Sequence, residues 1–159
     1  MIRLIRPSSG SSVTTMSLAG QEFDIELLHI TEEDRVKVFR KFRKNRQVVN
    51  PVSKQVEILP FFDDNDPAFK SSADDLLDQV VLNFHGIGDE TGKEYDGTLR
   101  ENKLLLGSIE VEDVEDIPIT DEAGDKAVIH RPRIRPFRAL IFDKAVALSK
   151  AVAEADKKN

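Results

Sequence analysis

The stretch from Asp74 to Ile109 constrains the fold most, because it sets two apolar segments on either side of a glycine-marked turn. In the first segment the apolar side chains recur at helical spacing and form one face: Leu76, Leu77, Val80, Val81 and Phe84. Gly86 and Gly88 follow, and glycine readily takes the left-handed backbone conformation that ends many helices. Thr98 and Glu101 have the spacing of a capping box, ahead of a second leucine-rich segment. The pattern predicts a helical hairpin in a small core.

Further helices are predicted on both sides of this hairpin. Thr31 is a favourable N-cap with acidic residues after it, and the alanine-rich C-terminal segment has high helix propensity. We therefore expect helices near 31–46, 73–85, 98–108 and 137–155. Phe23, Ile25 and Leu27 alternate with acidic residues, which predicts a half-buried strand.

The expected fold class is mainly α. We expect a small helical domain with a central helical hairpin, a minor N-terminal β strand and a candidate β-hairpin flap at 117–130. Residues 7–20 are small and polar, so we expect residues 1–20 to form a flexible arm. Residues 21–159 are expected to form one helical domain, the default for a chain of 159 residues.

The segment 35–46 carries seven basic residues and no acidic ones. An apolar stripe that includes Phe39 and Phe42 runs between them. Two interpretations are open: a basic face for nucleic acid or an acidic partner, or a solvated helix face whose cations suit the helix C-terminus. The candidate basic face comprises Arg35, Arg40, Lys41, Arg43 and Lys44.

The segment 110–125 is acidic, with eight acids and no bases, and 131–138 follows with four arginines and two prolines. Proline excludes a helix interior, so the arginine segment is expected to be extended. The arginines could pair with the acidic segment of the same molecule or contact a partner. We favour the intramolecular pairing.

Neither the composition nor any motif indicates catalysis, cofactor binding or metal binding. The chain has 40% hydrophobic and 33% charged residues, no cysteine and a net charge of −6, which makes nucleic acid an unlikely partner for the molecule as a whole. It carries no phosphate-binding loop, dinucleotide fingerprint or nucleophile elbow. Its acidic loop near Asp63 fails the calcium-loop pattern. We expect no enzyme, no catalytic residue, no cofactor, no metal and no membrane span.

The central stretch resembles the tail assembly chaperones of long-tailed bacteriophages and prophages. In that family an aromatic-x-Gly-Ile/Val motif precedes Asp-Glu-x-Gly, and here phenylalanine stands where tryptophan is usual. The resemblance covers about a quarter of the chain and rests on Phe84, Gly86, Ile87, Asp89, Glu90, Gly92, Thr98 and Asn102.

The resemblance implies a non-enzymatic chaperone in the cytoplasm of a bacterial host. Its partners would be the phage tape measure protein and, as a second candidate, the tail tube protein. Such a chaperone covers exposed apolar helix stripes through helix-in-groove contacts. We expect the partner-binding residues among the helical stripes: Leu77, Val81, Phe84, Leu140, Ile141 and Leu148. Two alternatives remain, namely a structural or adaptor protein of the tail or head-tail joint, and a nucleic-acid-binding regulator that uses the basic helix 35–46.

Overall fold

A computed structural model describes residues 10–158 of the chain. Helices account for 37% and strands for 38%, so the fold is mixed α/β and the expectation of a mainly α fold is wrong. The seven strands are β1 (Ser11–Leu18), β2 (Gln21–Leu28), β3 (Lys44–Val49), β4 (Val56–Phe61), β5 (Val81–His85), β6 (Glu110–Thr120) and β7 (Lys126–Pro136). The four α-helices are α1 (Glu32–Phe39), α2 (Pro67–Val80), α3 (Arg100–Ser108) and α4 (Phe137–Lys157).

The strands form three antiparallel units. β1, β2 and β5 make a three-stranded sheet in that order, while β3–β4 and β6–β7 are separate two-stranded hairpins. In the sheet, Ile25 of β2 pairs with Phe84 of β5. The alternation of apolar and acidic residues in β2 buries Phe23, Ile25 and Leu27 on one face, as predicted.

The core lies between this face of the sheet and the helices. α2 contributes Leu76, Leu77 and Val80, and α4 contributes Phe137 and Ile141, all of them buried in one hydrophobic cluster. Burying a side chain of this size contributes roughly 1.5–3 kcal/mol, which makes this cluster the main source of stability.

The first helix of the predicted central hairpin, expected near 73–85, is helical as far as Val80 and wrong beyond it. Helix α2 begins at Pro67, where Asp66 caps it by accepting a hydrogen bond from the Ala68 backbone N–H at 3.0 Å. It ends at Val80, and the chain continues directly into β5 because pairing with β2 buries Phe84. The apolar spacing over 76–84 suits a helix throughout but also a helix followed by a buried strand. Pairing with β2 makes 81–85 a strand.

The basic segment is also not one helix. Thr31 caps α1 as predicted, in a capping box with Asp34. The helix ends at Phe39, a 3-10 turn covers Arg40–Phe42, and β3 follows. The β-branched pair Val48 and Val49 favours a strand, and pairing with β4 fixes it. The expected helix 31–46 is therefore wrong beyond its first two turns.

The N-terminal arm is corrected in part. Residues 1–9 of the expected arm 1–20 lie outside the described residues. Ser11–Leu18 forms β1, which pairs with β2 along its whole length. Small polar residues with Val13 and Met16 among them suit an edge strand, and composition alone did not distinguish this from a flexible segment.

The predicted β-hairpin at 117–130 is confirmed and is longer than expected. β6 and β7 pair over eleven residues each, joined by a turn that Asp121 closes by accepting hydrogen bonds from the Ala123 and Asp125 backbone N–H groups. Helices near 98–108 and 137–155 are confirmed as α3 and α4. The predicted capping box of α3 is wrong, because Leu99 is its N-cap and Thr98 donates to Asp96 instead.

Candidate functional site

Five of the nine phenylalanines gather where α1, α2 and α4 meet the end of β4. The Phe39 ring lies 5.3 Å from Phe69 and 5.8 Å from Phe142, between ring centroids. Phe62 stacks on Phe69 with an interplanar angle of 5° and a centroid distance of 5.5 Å. Offset and tilted rings at these distances attract one another beyond simple area burial.

Four of these five rings form the floor of an open cleft of about 300 Å³, which we call the aromatic cleft. Its floor is Phe39, Phe62, Phe69 and Phe142. Phe62 has 43% of its surface exposed, whereas the other three rings are buried. A concave apolar site with one accessible aromatic ring is a common anchor site for a ligand side chain.

Charged side chains surround the aromatic floor. Arg35 of α1 donates to Asp143 of α4 at 2.6 Å and to Glu32 at 2.7 Å. Arg135 of β7 reaches the other oxygen of Asp143 at 3.0 Å. The two carboxylates offset the burial of Arg35, and its guanidinium pKa rises above the ordinary value. These ion pairs hold the charged side chains at the edge of the cleft, which we call its rim, in defined positions.

A further ion pair lines the cleft, in which the buried Arg138 of α4 donates to Asp64 at 3.2 Å. Asp64 lies in the loop between β4 and α2 and is half exposed. This ion pair ties the loop that carries Phe62 to the C-terminal helix. Arginine on the rim can also bind a carboxylate of a ligand in two-point fashion.

The aromatic cleft opens into a second groove between the two hairpins, of about 520 Å³. Both share Phe62, Asp64, Phe69 and Arg135. The second groove, the arginine groove, is lined by arginines of β3 and β7: Arg46, Arg131, Arg133 and Arg135. The two concavities therefore adjoin at these residues, and the aromatic cleft is the more apolar of the two.

Acidic residues of β6 hold these arginines. Glu115 accepts from Arg46 at 2.5 Å and from Arg131 at 2.8 Å, and Asp113 lies 2.6 Å from Arg135. Burial opposes ionisation of Glu115, but the Arg131 hydrogen bond and the charges of Arg46 and Arg131 outweigh it and lower the pKa of Glu115. The favoured expectation of intramolecular pairing between the acidic and arginine segments is confirmed.

The Nε atoms of Arg46, Arg133 and Arg135 are buried without a hydrogen-bond partner among the described residues. A buried unpaired donor costs about 1–3 kcal/mol. Water molecules or an oxygen-bearing ligand that accept from these Nε–H groups would remove that cost.

Most of the expected partner-binding residues are core residues. Leu77, Val81, Phe84 and Ile141 are buried in the main cluster, so a partner cannot reach them while the core is closed. Leu140 and Leu148 are half-buried and pack against the same cluster. Helical spacing identified apolar side chains correctly but did not separate the core from a binding surface.

The candidate basic face is dispersed over three elements. Arg35 is engaged by Glu32 and Asp143, and Lys44 of β3 lies 3.5 Å from Asp63. The remaining members, Arg40, Lys41 and Arg43, are exposed and form no ion pair within residues 10–158. A continuous basic helix for nucleic acid is therefore absent from the described part of the chain.

The residues that carry the family resemblance build the loop between β5 and α3. Gly86 has a left-handed φ of +93°, and its N–H donates to Glu94 at 2.8 Å. Asp89 accepts from the backbone N–H groups of Thr91 and Lys93, and the Asn102 amide donates to the Asp96 carbonyl at 2.9 Å. The motif thus has a structural role in shaping a tight loop.

The sequence analysis missed the aromatic cleft as a site. Phe61-Phe62 before the acidic loop were noticeable as an aromatic pair, and Phe39 and Phe42 fell on an apolar stripe. The available signal was this aromatic pair beside an Asp-rich segment. Only the tertiary packing brings Phe62 to Phe39, twenty-three positions earlier in the chain.

Within residues 10–158 no group of three or more His, Asp or Glu side chains is arranged to hold a metal ion. No helix of that part is long and apolar enough to cross a membrane.

Comparison of the chain with protein-family models, curated proteins and solved structures found no match.

Proposed function

We propose that the protein is a non-enzymatic binding protein whose aromatic cleft holds an apolar stripe of another polypeptide, as in a phage tail assembly chaperone. The observation that carries the proposal is the cleft itself, in which Phe62 lies exposed above three buried phenylalanines. An apolar side chain in such a cleft is desolvated on several sides, which is the setting of binding hot spots.

The cleft and the arginine groove fit an amphipathic segment. Apolar side chains of the segment would contact Phe62 and Phe69, while its acidic side chains would meet Arg135 and Arg46. This arrangement favours a helix or extended segment with alternating apolar and acidic positions over a small molecule.

The tape measure protein is the proposed partner, and the tail tube protein is the second candidate, both on the strength of the resemblance in the central stretch. Long tape-measure helices expose apolar stripes before assembly, and exposed stripes of this kind aggregate. A protein that covers them keeps the tape measure soluble in the cytoplasm of the bacterial host.

Co-expression tests the function. We expect the tape measure protein encoded beside this gene to be insoluble alone and soluble with this protein. A tape measure protein that is equally insoluble in both cases contradicts the function, as does a gene neighbourhood without tail genes.

Two variants test the site. Phe62→Ala removes the exposed ring and should reduce co-purification of the tape measure protein at least tenfold, a hot-spot loss of about 2 kcal/mol. Leu105→Ala is the control, because Leu105 is 50% exposed on α3, away from the cleft. Equal co-purification by both variants contradicts the cleft as the site while leaving the function intact.

The structural or adaptor alternative makes the opposite prediction about the virion. Mass spectrometry of purified particles should find no stoichiometric amount of a chaperone, whereas an adaptor protein remains in the tail. Stoichiometric recovery would replace the chaperone proposal with the adaptor.

A further inference from the structure

The arginines of the arginine groove come from two separate hairpins. β3 contributes Arg46, whereas β7 contributes Arg131, Arg133 and Arg135. The three arginines of β7 occupy alternate positions, so their side chains lie on the same face of the strand. Tertiary packing thus adds the guanidinium group of Arg46 to a set that β7 already forms.

Glu115 of β6 lies among three of these guanidinium groups. Its carboxylate accepts from Nη2 of Arg46 at 2.5 Å and from Nη2 of Arg131 at 2.8 Å. Nη1 of Arg133 lies 3.9 Å from the same carboxylate. A single carboxylate neutralises one of the three positive charges. The observation that carries the inference is this surplus of arginine around one acid.

The other β6 acid in this network, Asp113, does not remove the surplus. It is shared by two arginines and lies 3.2 Å from Nη2 of Arg133 and 2.6 Å from Nη2 of Arg135. Arg135 also lies 3.0 Å from Asp143, but that carboxylate pairs with Arg35 as well. The four arginines of the groove therefore share two carboxylates of β6 and part of a third.

Asp64 is the other acid in the lining of the groove. It pairs with the buried Arg138 at 3.2 Å, so its charge is already balanced by an arginine from outside the groove lining. Four arginines and two acids line the groove, which leaves an excess of two positive charges among the lining residues. An anion with more than one charge therefore suits this groove.

The four groove arginines also have unused hydrogen-bond donors. A guanidinium group carries five N–H donors in a planar fork. Within residues 10–158, every side-chain hydrogen bond of these four arginines runs from Nη2 to a carboxylate. Their Nη1 atoms form no hydrogen bond in that part of the chain, which leaves these donors for the oxygen atoms of a ligand.

We propose that the arginine groove binds a phosphate group, either free phosphate or the phosphate of an organic monoester. A phosphate monoester carries about two negative charges at neutral pH and three oxygen atoms that accept strong hydrogen bonds. Guanidinium groups match this geometry with paired N–H donors. A carboxylate has one charge and two oxygen atoms, so it balances less of the excess.

The two sources of the phosphate group differ in one contact. Phe62 lines both the arginine groove and the aromatic cleft, and 43% of its surface is exposed. The ring of an aromatic monoester would pack against Phe62, whereas free phosphate has no such group. This inference goes beyond the polypeptide proposed for the aromatic cleft and does not depend on the identity of that partner.

Isothermal titration calorimetry of the full chain with three probes tests the proposal. The probes are inorganic phosphate, phenyl phosphate and benzoate, which has the same ring as phenyl phosphate but a carboxylate in place of the phosphate. At about 50 mM salt, where screening is weak, we expect phenyl phosphate to bind with a dissociation constant of about 1 mM or below. Benzoate should bind at least about tenfold more weakly, since it has half the charge.

The two phosphate probes distinguish the sources. Tighter binding of phenyl phosphate than of inorganic phosphate identifies an organic monoester as the ligand, and equal affinities identify free phosphate. Absence of binding by both phosphate probes at about 10 mM overturns the proposal. Benzoate that binds as tightly as phenyl phosphate overturns it as well, because the groove would then not select phosphate.

Two groove variants should change the affinity in opposite directions. Arg131→Ala removes the most exposed of the four arginines and leaves Arg46 as a partner of Glu115, so phosphate binding should weaken about fivefold or more. Glu115→Gln keeps an acceptor oxygen but removes the negative charge that competes with the ligand. Binding should tighten about fivefold, and a loss of folding cannot produce such a gain.

Arg40→Ala is the matched control for the loss of one arginine. Arg40 is exposed, forms no ion pair within residues 10–158 and does not line the groove. We expect it to bind phenyl phosphate like the parent chain. Equal affinities of Arg131→Ala and Arg40→Ala would overturn the assignment of the site, and so would weaker binding by Glu115→Gln.

Discussion

At the scale of single residues, the close approach at Gly97 explains how the β5–α3 loop folds against the sheet. A Cβ at this position would collide with the backbone N and O atoms of Phe84, which is itself buried. No side chain can move aside there, because the obstacle is the backbone of β5. The resemblance motif did not include Gly97, and its role follows from the packing alone.

Gly97→Ala should therefore destabilise the protein by about 3 kcal/mol, the upper end of the typical range for overpacking a well-packed site. Gly92→Ala is the comparison, since Gly92 has a left-handed φ of +83° and open space around it. It should cost only about 1 kcal/mol of backbone strain. Urea unfolding midpoints give the loss of stability in each variant. An equal loss in Gly97→Ala and Gly92→Ala would contradict the close approach at Gly97.

A second residue-scale prediction concerns the buried cation Lys103. Its ammonium donates to the carbonyl of Asp78 at 3.1 Å and lies 3.2 Å from the Asp78 carboxylate. Asp78→Ala leaves the charge buried without its counter-ion and should cost about 3 kcal/mol.

Asp75→Ala is the matched control, because Asp75 is exposed and, within residues 10–158, forms its ion pair with Arg100 alone. A surface pair of this kind is worth about 0–1 kcal/mol. The thermal unfolding midpoint should fall clearly more in Asp78→Ala than in Asp75→Ala. A loss for Asp75→Ala as large as for Asp78→Ala would show that Lys103 does not depend on the Asp78 carboxylate.

At the scale of elements, the β6–β7 hairpin should loosen in acid. Arg131 and the neighbouring arginines lower the pKa of Glu115 from 4.5, and the Val114 N–H with Arg133 and Arg135 lowers that of Asp113 from 3.8, in both cases against the opposing effect of burial. A carboxyl whose pKa is lower in the folded state contributes stability above its unfolded pKa and loses it as pH falls through the folded pKa.

Stability should thus decline as pH falls from about 5 through the lowered pKa values of both groups. Glu115→Gln should be less stable at neutral pH and show a shallower decline in acid. Urea unfolding midpoints of the parent and of Glu115→Gln, measured across this pH range, test both expectations. A parent profile with the same slope as the variant would exclude Glu115 as a source of the pH dependence.

Elements also show how far the sequence predicts the fold. Thr31, the alternation in β2 and the alanines of α4 carried local signals that tertiary packing left intact. The segments 44–46 and 81–85 were predicted as the ends of helices because their apolar spacing suits a helix, but pairing with β4 and β2 made them strands. Pairing between distant strands is not encoded in any one segment, so local pattern cannot reveal it.

The same limit applies to the candidate site. Leu77 and Phe84 were predicted as partner contacts from their apolar character, yet burial places them in the core. Phe62 was visible only as one of two aromatics before an acidic loop, and its stacking on Phe69 needs the fold. Chemistry of the site residues was readable from the sequence, but their exposure was not.

At the scale of the whole molecule, seven of the nine phenylalanines fall into two groups that report on different places. Phe39, Phe62, Phe69 and Phe142 line the aromatic cleft. Phe23, Phe84 and Phe137 lie away from the cleft lining, in the buried cluster to which Phe39, Phe69 and Phe142 also belong. The central claim is that a partner polypeptide binds the first group and leaves the second undisturbed.

Nuclear magnetic resonance of the protein labelled at its nine phenylalanines tests this claim most directly. On addition of a soluble apolar-striped helix of the tape measure protein, we predict that the ring signals of Phe62 and Phe69 shift, while those of Phe23, Phe84 and Phe137 stay in place. Binding that shifts the core signals and leaves Phe62 unchanged would contradict the account.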